Sequence, residues 1–503
     1  MADKKLVYFF DEGKKELKEL LGGKGANLCE MTRVGVPVPP GFTITTEVCS
    51  LYNQNNYKYP EGLEEQVNAH LERLQNEMGK KLGDENDPLL VSVRSGAAQS
   101  MPGMMDTILN LGLNDKSVVA LAGKTGNERF AWDAYRRFIQ MFGNVVMGIK
   151  GEEFEKELEK IKQQQGAKDD TDLTADDLKQ AVEAFKKVIR EQKNSSFPQN
   201  PTEQLWMAIE AVFGSWNNER AILYRQLNDI KGLLGTAVTV QSMVFGNMGD
   251  TSGTGVCFSR NPSTGENQFY GEFLMNAQGE DVVAGIRTPQ TIDELGQVMP
   301  DAYKELVEIK NRLEKHYKDM QDMEFTIQEG RLYFLQTRNG KRTAAAAVKI
   351  AVDMEQEGLI DEKTAVLRVN PNQLDQLLHK TLDPDAAARA KELAEGLPAS
   401  PGAAVGTVVF DAEEAAERAE DGQSVILVRN ETSPEDLIGM NAAMGILTAR
   451  GGMTSHAAVV ARGMGKCCVA GCSGITIEED RGQFYTTEGT VVKDGQYISL
   501  DGS

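Results

Sequence analysis

GILTARGGMTSHAAVVARGMGKCCVAG, residues 445–471, changes its pattern twice in a short span. GILTA is an apolar run of strand type. HAAVVARG, from His456, has the small and branched apolar residues of a short helix. CCVAG is strand-like again. Strand, helix and strand in such close order read as compact α/β. Upstream, TVVF and SVILVR extend the same reading, and TVVKDGQYISLDG is expected to close as a hairpin through Asp494-Gly495.

Working towards the N-terminus, LPASPGAAVG carries Pro398, Pro401, Gly402 and Gly406, which suit a hinge or domain boundary. Residues 341–395 are mixed helical. From about residue 235 to 340 strand signals dominate, among them GTAVTVQSMVFG. Residues ~113–200 are charged and helical, with Thr174 and Asp177 spaced as a helix-start capping pair. The first ~110 residues alternate strand-like runs (LVYFF, GFTITT, LLVSVRSG) with glycine turns and helical stretches. At 503 residues the chain is too long for one ordinary core. The expected class is a mixed α/β (α+β) multidomain protein.

A formal net charge of −21 excludes a typical nucleic-acid binder, which carries a basic face. An acidic protein that handles phosphates must gather a few Lys and Arg locally, helped by magnesium. Six cysteines lie in apolar surroundings without paired zinc spacing, so they are expected to be small buried residues of a reducing compartment. The N-terminus has no apolar leader, and no apolar run approaches the ~18 residues that span a membrane. A cytoplasmic location is the default expectation.

Four segments carry candidate chemistry. LLGGKGANL sets Lys24 among Gly22, Gly23 and Gly25, either a phosphate loop or a plain tight turn. Arg94 ends an apolar strand in VSVRSG, where it can grip a phosphate or pair with a surface carboxylate. GNMGDTSGTGV, from Gly246, has the composition of a lid over a triphosphate and equally of a simple hairpin loop. In DMEFTIQEGRLYFLQTR two strands flank Glu329-Gly330, so Asp322 and Glu324 share a face, as do Gln336 and Arg338. That face suits magnesium and phosphate, or simply solvent.

His456 lies just after Thr454 and Ser455, good helix caps, where amides and the helix dipole stabilise an anion. A lone histidine is usually structural. Here the Gly451-Gly452 pair allows close approach of a donor, and a neutral imidazole is a competent nucleophile. No second His, Cys or carboxylate stands at metal-ligand spacing beside it.

In this order, LLGGKGANL, VRSGAAQSMPGMMDTILNLGLND, FGNMGDTSGTGVCFSRNPSTGE, NAQGEDVVAGIRTPQ, DMQDMEFTI, LYFLQTRNGKRT, LPASPGAAVG, ETSPED and GGMTSHAAVVARGMGKCCVAGC resemble the pyruvate phosphate dikinase family. The resemblance implies an ATP-grasp nucleotide-binding domain over residues 1–340, with a helical subdomain at about 113–200. A helical linker (341–395) and a swivelling phosphohistidine domain (396–503) would follow.

In the family, ATP and phosphate yield AMP, pyrophosphate and a phosphohistidine, whose phosphoryl group passes reversibly to pyruvate, giving phosphoenolpyruvate. By motif, Lys24, Arg94 and Arg338 would contact ATP phosphates. Asp322, Glu324 and Gln336 would form the ribose and magnesium side, with Glu324 and Gln336 as metal ligands, and His456 would carry the phosphoryl group. Thr454 matches a position that plant members phosphorylate. Mg2+ and a monovalent cation such as NH4+ or K+ are the implied cofactors, and a homodimer is implied for the full-length protein.

The family continues into a barrel that binds pyruvate and phosphoenolpyruvate, whereas this sequence stops at Ser503. The chain is therefore expected to be part of a longer protein, to carry the nucleotide half-reaction only, and to leave any organelle address to the remainder. Lys380 and Asn441 depart from the family pattern away from these sites. The alternatives are a stand-alone phosphocarrier module and a phosphoenolpyruvate-synthase-like enzyme.

Overall fold

The computed structural model describes residues 4–101, 103–283, 288–371 and 382–502. Lys380 and part of the 341–395 segment lie outside them. The fold is mixed α/β, as expected, in two compact units, Met1–Val244 and Phe245–Ser503.

The first unit is built on a five-stranded sheet in the order Val7–Phe9, Gly41–Ile44, Ala237–Ser242, Val91–Gly96, Thr107–Leu111. Every neighbouring pair is antiparallel. All six residues of Ala237–Ser242 are buried, which suits a central strand covered on both faces. The helices Glu128–Val145, Gly151–Gln165 and Ala175–Lys193 fill the charged region. Thr174 and Asp177 form the anticipated capping box: Thr174 N–H donates to Asp177 Oδ2 at 2.9 Å and Asp177 N–H to Thr174 Oγ1 at 3.3 Å.

In the second unit an antiparallel sheet runs Gln290–Thr291, Tyr270–Met275, Gly253–Phe258, Gln321–Gln328, Arg331–Asn339. Of the segment read as a lid or a hairpin loop, residues 246–252 form the turn and the last part is strand. Gly253, Thr254 and Gly255 begin a buried strand, because only a glycine at 255 admits the ring of Phe325: a Cβ there would meet it at 2.5 Å. A wholly buried Arg260 at the strand's end binds Glu314 and Glu357, tying helices Pro300–Tyr317 and Ala344–Gln356 to the sheet.

A six-stranded sheet follows: Leu397–Ser400, Cys467–Ala470, Gly445–Thr448, Val425–Arg429, Ala403–Val409, Tyr497–Asp501. Its four inner strands are parallel and need crossovers. His456–Met464 is one of them, burying Ala457, Ala458, Val460 and Ala461. Val408, Ile426, Val428, Leu447 and Val469 fill the core, each contributing roughly 1.5–3 kcal/mol by leaving water.

Two expectations are corrected here. LPASPGAAVG is not a loose hinge: Leu397–Ser400 pairs with Cys467–Ala470 and Ala403–Val409 with two strands, leaving only the Pro401-Gly402 turn. The segment around Asp494-Gly495 is a turn but not a hairpin. Val491–Lys493 joins a three-stranded sheet, whereas Tyr497–Asp501 crosses to Ala403–Val409, where its alternating Ile498 and Leu500 complete the larger core. Among the described residues no helix is long and apolar enough to cross a membrane, and all six cysteines are buried and free.

Candidate functional site

In the first unit the LGGKG segment is a kink inside the Lys18–Arg33 helix rather than an open loop. Gly22 has φ 69° and ψ 166°, which interrupts the helix, and the chain resumes helical geometry around Lys24. The kink presses backbone on backbone: a Cβ at Gly22 would lie 1.9 Å from the Gly96 carbonyl oxygen. The Gly23 amide is spent on the Ala97 carbonyl at 2.8 Å and is not offered to a phosphate. The same contact brings Lys24 beside the end of the Val91–Gly96 strand, since a Cβ on Gly96 would stand 3.3 Å from the Lys24 Cβ. Arg94 sits on that strand, half-buried, so the two predicted cations share one corner.

In the second unit the hairpin has the predicted facing. Glu329 and Gly330 both adopt left-handed φ (49° and 78°), the geometry of a two-residue turn matched to strand twist. This register sets Asp322 opposite Arg338 and Glu324 opposite Gln336. Arg338 Nε donates to Asp322 Oδ2 at 2.7 Å, and Gln336 Nε2 donates to Glu324 Oε1 at 3.1 Å. Asp322 is 3% exposed, and its second oxygen, Oδ1, is buried without a partner among the described residues. Burial pushes its carboxyl above the usual range, while Arg338 pulls it back.

A buried carboxylate oxygen left without a donor fits a hard cation or a ligand hydroxyl. Among the described residues no three His, Cys, Asp or Glu cluster into a closed metal cage.

His456 opens its helix with Ser455 as the cap, whose hydroxyl accepts from Ala458 N–H at 3.5 Å. Its Nδ1 lies 3.0 Å from Thr432 Oγ1, and its Nε2 is buried with no partner among the described residues. The loop before it is held from both sides. Glu272 accepts from Met453 N–H at 3.1 Å and from the Thr454 hydroxyl at 2.8 Å, and Arg462 donates to the Met453 and Ala399 carbonyls at 2.5 and 3.1 Å. Gly452 leaves room for the Glu272 carboxylate: a Cβ there would meet Oε2 at 2.4 Å and push that side chain aside.

Thr432, Glu272 and Arg462 were not predicted. Thr432 and Glu272 lie far from the histidine loop in sequence and leave no local signal, although Thr432 lies inside the ETSPED segment, whereas Arg462 stands on the His456 helix itself and its polar character on an apolar helix was the available signal.

Burial pushes the His456 imidazole down to about 4, against the opposing pull of Asp436 and Glu435. The folded value lies below the ordinary ~6.5. As pH falls from ~6.5 to 4, the unfolded chain therefore binds a proton that the folded chain refuses, so this group's cost to folding grows through that window and is fully present below it. At neutral pH the ring is uncharged. Long-range 1H–15N spectra are expected to show His456 still neutral at pH 5.5, and a midpoint near the ordinary value would contradict this.

The family described as pyruvate phosphate dikinase, AMP/ATP-binding domain, matches residues 18–58, 56–299 and 296–359. The family described as PEP-utilising enzyme, mobile domain, matches residues 421–503. The pyruvate, phosphate dikinase of Clostridium symbiosum is 59% identical over 500 residues, covering 99% of this chain and 57% of that protein. The chloroplastic pyruvate, phosphate dikinase of Mesembryanthemum crystallinum is 60% identical over 492 residues, 98% of this chain and 52% of that one. Pyruvate, phosphate dikinase 2 of Zea mays is 59% identical, with 98% and 56% covered. The chain spans about half the length of the curated relatives it matches.

Proposed function

The chain belongs to the pyruvate phosphate dikinase family, and we propose that it performs the nucleotide half of that family's reaction, with His456 as the phosphoryl acceptor. The observation that carries this reading is a neutral, buried Nε2 with no partner among the described residues, at a helix start, on a ring already held through Nδ1. Nε2 attacks the β-phosphorus of ATP, the N–P bond forms, and the bond to the AMP oxygen breaks. Inorganic phosphate then takes the γ-phosphoryl group as pyrophosphate, leaving the β-phosphoryl on His456.

Little covalent chemistry falls to the protein in such transfers, so positioning and charge neutralisation carry the catalysis. Lys24, Arg94 and Arg338 supply cations to the phosphates. Glu324 and the Gln336 amide oxygen are the proposed magnesium ligands, with Asp322 towards the ribose and metal. Magnesium, when bound, draws charge from the phosphate oxygens and helps the AMP oxygen leave.

In this reading residues 1–340 bind nucleotide, 341–395 link, and 396–503 form the mobile phosphohistidine domain. Transfer to pyruvate is proposed for the part of the family that lies beyond the matched residues. A homodimer and a cytoplasmic or plastid location are carried over only as properties of the longer protein.

With β-labelled ATP, magnesium, potassium and phosphate, the chain is expected to retain acid-labile label, and with γ-labelled ATP none. Absence of β-label would overturn the reading. Retention of label without added phosphate, with phosphate released, would favour the phosphoenolpyruvate-synthase-like alternative.

A further inference from the structure

We propose that Thr432 is a positioning residue that reverses its hydrogen bond to His456: it accepts from Nδ1–H before transfer and donates to Nδ1 afterwards. The proposal rests on His456 being the acceptor. Thr432 is 7% exposed, and its hydroxyl is the group placed against Nδ1, at 3.0 Å.

The loop cannot drift, because both flanks are pinned. Asn430 N–H donates to Glu479 at 2.7 Å, while Ser433 and Asp436 form a capping box in which Ser433 N–H donates to Asp436 Oδ2, also at 2.7 Å. Asp436 is engaged by Ser433 and by Arg429 at 3.4 Å, so it holds the loop that presents Thr432.

A neutral imidazole places its proton on either nitrogen. With the proton on Nε2, a buried donor would be stranded without an acceptor, and that nitrogen could not attack. With the proton on Nδ1, the donor is satisfied by Thr432 Oγ1 and the Nε2 lone pair is bare. Orphaned buried N–H groups are the rarer defect, so the second tautomer is favoured.

As N–P bonding begins and the AMP oxygen departs, positive charge grows on the ring and the Nδ1–H···Oγ1 bond strengthens. Once the phosphorylated ring releases the Nδ1 proton to solvent, Nδ1 becomes an acceptor and the threonine hydroxyl can rotate to donate. A carboxylate accepts only; a hydroxyl serves both states.

The test compares Thr432→Val, Thr432→Ala and Thr432→Ser in the 503-residue chain. His456→Asn assigns the 15N signals. The native protein should show Nδ1 protonated and Nε2 bare. Val and Ala should shift population to the Nε2–H tautomer, slow labelling from β-labelled ATP about tenfold with KM for ATP unchanged, and shorten the lifetime of the label. Serine should restore the native spectrum and stay within about twofold in rate, since its hydroxyl makes the same bond. Folded Val or Ala proteins with native tautomer and native rate would overturn the role of Thr432 and leave the acceptor assignment standing. An unlabelled native chain would instead overturn the assignment beneath it.

Discussion

His456→Asn is expected to fold and bind ATP normally, yet to take up no acid-labile phosphoryl group. The loss should be on the order of 10⁶-fold, the cost of deleting a nucleophile outright. Asparagine keeps a polar group near Thr432 and removes only the nitrogen that attacks, so folding should be little disturbed. Another histidine is a poor substitute: His70 has Nδ1 on the Gln66 carbonyl at 2.7 Å and Nε2 near Glu12 at 3.4 Å. His379 lies outside the described residues. Rapid-quench labelling beside equilibrium ATP binding separates the two effects. Label that survives in the variant would move the acceptor elsewhere.

Where the sequence was informative, one local rule governed the outcome. Alternation along two short strands puts Asp322 and Glu324 on one face, and likewise Gln336 and Arg338, but the pairs Asp322–Arg338 and Glu324–Gln336 depend on a register shift at Glu324-Phe325 that the turn at Glu329-Gly330 does not foretell. Ser455 and the alanine face likewise marked the His456 helix.

Glycines misled, because their composition does not say what approaches them. Gly253 and Gly255 admit neighbouring strands and an aromatic ring, and Gly22 admits a carbonyl from a distant strand. Gly402 makes a turn between two strands rather than a free joint. Thr432 was illegible for a related reason: it meets His456 across 24 residues, through a loop whose course is set by Ser433, Asp436 and Glu479.

The two neighbouring glycines of LGGKG should answer alanine in opposite ways. Gly22→Ala forces a Cβ onto a residue with φ 69° and to 1.9 Å from the Gly96 carbonyl. That φ with ψ 166° is a backbone region essentially confined to glycine and alone costs roughly 1–3 kcal/mol, and the overlap involves backbone atoms that no rotamer change can relieve. The Lys18–Arg33 helix must lift from the Val91–Gly96 strand, which carries Lys24 away from Arg94. A shift near 1 Å in a positioning group costs about 10²-fold in rate, so β-labelling should fall by that order and the first unit should melt earlier. Gly23→Ala, whose Cβ would stand 3.4 Å from the Ala97 carbonyl, meets only ordinary contact and should leave both nearly native. Equal behaviour of the two variants would mean that the kink at Gly22 does not set the distance between the two cations.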